Sequence, residues 1–78
     1  MAFRRAVRAL GRTVRGLRRD QGWTVEQAAG HFGVEPAFVR RIESGRTNPS
    51  LAVIVSIASA FGMSSAELLR EERGATQR

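Results

Sequence analysis

The chain of 78 residues contains no cysteine and only one histidine, His31. The first absence excludes disulfides and thiolate metal sites. The second leaves His31 with no companion to hold an ion, so neither a metal site nor a cofactor is expected. No apolar run reaches the roughly 20 residues a membrane span requires, and the N-terminus lacks a signal-peptide apolar core. The expectation is a cytoplasmic chain with no membrane partner. There is no Gly-rich phosphate loop and no arrangement of nucleophile, base and orienting group. Ser64 and Ser65 read as a helix cap, and Asp20 and Glu26 have no partner suggesting acid–base work. An enzyme is not expected.

Lysine is also missing, so all thirteen basic residues are arginine. Their placement says more than their number. Residues 1–19 carry seven arginines and no acid, whereas residues 20–78 balance six arginines against seven acids. The whole net charge of +6 therefore sits on the first segment. A one-sided basic charge favours a polyanion as partner, with nucleic acid ahead of a membrane surface. A chain of this length makes one domain, expected over residues 1–72, followed by a polar tail over 73–78. A domain this small buries only about 60–65% of its unfolded surface, so association with a second copy would add needed stability.

Helical spacing runs through the chain. Phe3, Val7, Leu10, Val14 and Leu17 form an apolar stripe along one long first helix, with arginines over the rest of its surface. That segment reads as a core helix with a solvated basic face, a membrane-surface helix, or a coiled-coil strand; the first reading is preferred. Gly11 and Gly16 each lower its helix propensity by about 1 kcal/mol relative to alanine, and Gly22 ends it. Thr24 to Gln27 has the form of a capping box and starts a second helix running to about His31. Val25, Ala28, Ala29 and Phe32 lie at the i, i+3, i+4, i+7 spacing of one face. Gly33 supplies a sharp turn. Pro36 suits the first turn of a third helix, which carries Val39 and Ile42 inward and runs to about Ser44. Asn48-Pro49-Ser50 is a turn. Leu51, Ile54, Val55, Ala58 and Phe61 are expected on the inner face of a fourth helix, with Ile57 at its margin and Val53 further round. Gly62 stops that helix. Ser64 to Glu67 caps a fifth, which bears Leu68 and Leu69. The fold class expected is all-α, a five-helix domain with a helix-turn-helix over about residues 24–44.

The joint order of these pieces resembles a known family. LGRTVRGLRRDQGWTVEQAAGHFGV, VRRIESGRTNPSL and IASAFGMSSAELL together are similar to the Cro/cI-like repressor domain, also called the xenobiotic-response-element-type helix-turn-helix. The resemblance covers roughly Leu10 to Leu69. It implies a five-helix DNA-binding domain and transcriptional regulation as a homodimer on double-stranded operator DNA. It also places Arg18 and Glu43 where the family often has an ion pair between the first and third helices; guanidinium and carboxylate suit a bidentate bond. The alternative is two unrelated surface charges.

In such a domain the first turn and outer face of the third helix read bases. Those positions here are Glu35, Pro36, Ala37, Arg40 and Arg41. Arginine donates bidentately to guanine O6 and N7, worth about 1–3 kcal/mol of discrimination, with Arg41 the preferred reader. Contact of both arginines with phosphate or solvent alone is the competing reading. Pro36 and Ala37 donate no hydrogen bond but can pack on a thymine methyl. Glu35 has two readings, an acceptor from cytosine N4 or a charge that repels phosphate. Relatives commonly carry a phosphate-holding Gln at the site of Val25, which this chain lacks. Thr24, Gln27, Arg46, Thr47 and Asn48 remain the phosphate candidates. Phe38 is read as core or as a wedge beneath the helix. Val53, Met63, Leu68 and Leu69 are the candidates for the dimer interface. A sequence-specific regulator, and more specifically a repressor, is the function expected. The alternative is an antitoxin-like module that binds a toxin or other protein partner and autoregulates its operon.

Overall fold

A computed structural model describes residues 2–70. Its five helices are α1 (Ala2–Asp20), α2 (Val25–Phe32), α3 (Pro36–Glu43), α4 (Leu51–Ala60) and α5 (Ser65–Leu69). There is no strand among the described residues, so the fold is all-α as expected. The expected tail over 73–78 lies outside them. α2 closes one residue later and α3 one residue earlier than the sequence suggested.

Local chemistry sets the helix ends. Thr24 Oγ1 accepts from the Gln27 backbone N–H at 3.0 Å, and Gln27 Oε1 accepts from the Thr24 N–H at 2.8 Å. Ser64 and Glu67 repeat that reciprocal arrangement at the start of α5, and Ser50 caps α4. Gly33 takes φ +74°, which a side chain resists, and both its own N–H and that of Val34 donate to the Ala29 carbonyl. The chain therefore reverses between α2 and α3 with the Ala29 carbonyl accepting twice at the helix end.

α1 packs on α3 and α5, α2 on α3 and α4, and α4 on α5. Leu10, Val14, Ala28, Ala29, Phe32, Val39, Ile42, Ile57, Ala58 and Leu68 make one core. Half-buried Trp23 stacks against His31 at 4.0 Å and against Phe61 at 5.4 Å, closing the end of the core where α1 gives way to α2.

The structure corrects three expectations. On α4, Leu51 is 67% and Val55 46% exposed, while Ile57 is fully buried. The inner face is thus Ile54, Ile57, Ala58 and Phe61. Five of the first seven residues of α4 are large and apolar, so spacing alone could not select the face. The stripe on α1 also outruns the core, because Phe3 is exposed and Val7 only half-buried. Finally, Leu68 is fully buried beneath α1 and α4 rather than free for a partner.

Gly11 has a role that its low helix propensity did not suggest. It is buried where α1 crosses the end of α3. A Cβ at this position would collide with the Ile42 carbonyl oxygen and come within 2.8 Å of that of Glu43. Absence of a side chain lets the two backbones touch.

Candidate nucleic-acid interface

The helix-turn-helix is held from behind and open in front. Behind it, Arg18 reaches from α1 to α3. Its Nε donates to Glu43 Oε2 at 2.6 Å and its Nη2 to Glu43 Oε1 at 3.1 Å. Nη1 donates to the Trp23 carbonyl at 2.9 Å, tying the same guanidinium to the chain entering α2. The hydrogen bond to Glu43 raises the Arg18 pKa above its ordinary value, so the cation persists throughout the accessible pH range. Val39 and Ile42 face inward from α3. With these contacts the orientation of α3 is set by α1, α2 and the Trp23 carbonyl together.

In front, Ala37, Arg40 and Arg41 are exposed and Pro36 is half-buried. Glu35 precedes the helix without capping it through its side chain. The two arginines differ in their surroundings. Arg40 Nη2 donates to Glu26 Oε2 of α2 at 2.8 Å, an exposed ion pair across the turn. The Arg41 guanidinium lies over the Phe38 ring, 5.3 Å from its centroid. Half-buried Phe38 packs against the core on one side and supports Arg41 on the other. A cation on a ring face loses rotamer freedom while its N–H edges stay free to donate.

The candidate phosphate ligands fall in two places. Thr24 and Gln27 stand at the N-terminus of α2, each using an acceptor in the cap and keeping donor hydrogens available. Exposed Arg46 and Asn48 and half-buried Thr47 occupy the loop after α3. Gly45 turns this loop at φ +73°, and the Arg46 N–H bonds back to the Arg41 carbonyl at 2.9 Å. The dimer candidates divide: Leu69 is 45% exposed, Val53 and Met63 are half-buried, and Leu68 is withdrawn into the core. Sequence reasoning missed Glu26, whose bond to Arg40 spans two helices and has no local signature. It also missed Phe38 as a platform for Arg41, although the i, i+3 spacing was visible.

Two short helices crossing at a glycine turn, with the second presenting arginines outward, define a helix-turn-helix domain. The chain belongs to the helix-turn-helix domain family, whose model matches residues 9–71. It is 36% identical over 56 residues to the HTH-type transcriptional regulator DdrOP3 of Deinococcus deserti, covering 72% of this chain and 43% of that protein. It is 33% identical to the uncharacterized HTH-type transcriptional regulator YazB of Bacillus subtilis, covering 81% of this chain and 91% of that one. Among solved structures, the restriction-modification controller protein C.AhdI from Aeromonas hydrophila superposes with a TM-score of 0.75 at 31% identity, covering 80% of this chain and 94% of that chain. The chain thus spans less than half of the first relative and nearly all of the other two. Among the described residues no helix is long and apolar enough to cross a membrane.

Proposed function

We propose that this chain is a sequence-specific DNA-binding regulator of transcription, acting as a homodimer with α3 in the major groove and repressing by occupancy of its operator. The observation that carries the proposal is the braced α3, with its core side locked by Arg18 and Glu43 and its outer side presenting Pro36, Ala37, Arg40 and Arg41. Thr24 and Gln27 on one flank, and Arg46, Thr47 and Asn48 on the other, suit phosphate contacts that set the register of α3. Base reading falls mainly to Arg41, preformed on Phe38, and to the methyl-contacting surfaces of Pro36 and Ala37. Arg40 reads a base only after exchanging the Glu26 carboxylate for it. Similarity to a controller protein over nearly all of that chain supports a regulatory role for a domain of this size.

A helix of eight residues is only about 12 Å long, so one protomer covers a half-site and two are needed for a full operator. Exposed Leu51, Val55 and Leu69, with half-buried Val53 and Met63, supply the apolar surface for the second copy. Selection of duplexes from a random pool tests the proposal. It should return an inverted repeat whose half-sites are centred about 34 Å apart; a pool that shows no enrichment rejects it.

A second reading draws on the same surface. The first turn of α3 offers no side-chain donor, and Arg40 is already paired with Glu26. Both features suit an antitoxin-like module that docks a protein and autoregulates its operon. Stoichiometric co-purification of one protein from the source cell, released by Ala37→Arg, would favour it.

A further inference from the structure

The arginines of α1 do more than balance charge. At about 100° per residue, Arg4, Arg15, Arg8, Arg19, Arg12 and Arg5 succeed one another within about 100° of arc on the face away from the core. All six are exposed. Among the described residues, Arg18, lying closer to the core stripe, is the one arginine of α1 with a carboxylate partner. Among the described residues none of Arg4, Arg5, Arg8 and Arg12 makes an ion pair, and the four together line one depression on the surface. Arg4, Arg8 and Arg12 repeat at i, i+4, where like charges repel each other. Such a ridge gains most from a partner carrying closely and regularly spaced negative charge.

Its location identifies that partner. Phe3, Arg4 and Val7 share a groove with residues 45–48, the loop that follows α3. Arg8 lies directly against Gly45, where a Cβ would come within 3.1 Å of its Cγ. The ridge is therefore continuous with Arg46, Thr47 and Asn48, the proposed phosphate contacts of the half-site.

We infer that the Arg4–Arg5–Arg8–Arg12 ridge is a second DNA-contacting surface, gripping phosphates that flank the half-site read by α3. The inference rests on the proposed DNA-binding function and extends it to residues outside the helix-turn-helix. Flanking phosphates carry no base information, so the ridge adds affinity, reach along the duplex and salt sensitivity without altering the sequence preferred.

The test compares the full chain with a variant carrying Arg4→Gln, Arg5→Gln, Arg8→Gln and Arg12→Gln. Glutamine has nearly the helix propensity of arginine, and circular dichroism checks that α1 is retained. Each protein is titrated at several salt concentrations against the selected site, once with flanks of about ten base pairs and once trimmed to the half-sites. Each phosphate contact contributes about 0.9 to the slope of log K against log salt. The wild-type slope should be steeper on the flanked duplex by about 2–4 for each protomer, and the variant should show equal slopes on both. Base preference should be the same for the two proteins. Equal wild-type slopes on both duplexes would overturn the inference alone, whereas failure to bind either duplex would overturn the DNA-binding reading first. Wild-type binding to phosphatidylglycerol vesicles that the four substitutions abolish, with the DNA slope unchanged, would also overturn it and reassign the ridge to a lipid surface.

Discussion

Arg18 and Glu43 meet in a two-pronged pair, 2.6 and 3.1 Å long, that fastens α3 to the first helix of the domain. Their side chains are only 12% and 9% exposed. Loss of one partner strands the other's charge in a poorly solvated place. Arg18→Ala should therefore lower unfolding stability by about 3 kcal/mol, read from urea denaturation, whereas Arg18→Met with Glu43→Leu should recover most of that loss. An additive double substitution would show that the pair is not coupled.

Two glycines on α1 should respond in opposite senses to one substitution. Gly11→Ala forces apart the α1 and α3 backbones and should destabilise by about 1–3 kcal/mol. Gly16 is exposed, with nothing within 4 Å of an added Cβ. Gly16→Ala should stabilise by about 1 kcal/mol through helix propensity. Thermal unfolding of both variants checks the crossing point directly.

Glu67 gives a pH-dependent contribution of known sign. Hydrogen bonds from the Ser64 backbone and side chain hold its carboxyl below the ordinary value of 4.5. A lowered folded-state pKa means that stabilisation is present above the unfolded value and fades as the carboxylate is protonated in the folded state. Between neutral pH and pH about 3, wild type should lose more stability than Glu67→Gln, whose amide keeps the acceptor of the cap without titrating. Equal losses would show that the charge on Glu67 contributes nothing.

Association should depend on the apolar surface outside the core. Val55→Glu and Leu69→Glu alter exposed positions, so both variants should fold. Each should shift sedimentation toward monomer and abolish cooperative occupation of two half-sites. A wild-type chain that sediments as a monomer at micromolar concentration, with or without DNA, contradicts the dimer.

The scaffold of the helix-turn-helix was legible in the sequence because its signals are local. Ala29, Gly33, Val39 and Ile42 follow helical spacing around a turn that requires positive φ, and Thr24 and Gln27 form their cap within four residues. Where the sequence is apolar all round, periodicity loses its power. Leu51, Val53, Ile54, Val55 and Ile57 could be rotated to several faces, and only packing on α2 and α5 chooses Ile57. Leu68 and Leu69 are chemically alike and adjacent, so nothing local says which one is buried. Features that join distant segments were hidden for a different reason. Gly11 matters because two carbonyls from α3 arrive beside it, and Glu26 matters because Arg40 does.

In the proposed function, Arg41 of α3 reads a base in the major groove. Replacement of guanine by 7-deazaguanine in the selected half-site removes the N7 acceptor while leaving base pairing intact. Wild type should bind the modified duplex at least about 5-fold more weakly, the lower end of a bidentate contact's worth. Arg41→Ala should bind modified and unmodified duplexes equally. Wild-type binding that is indifferent to every such replacement would contradict base reading by Arg41.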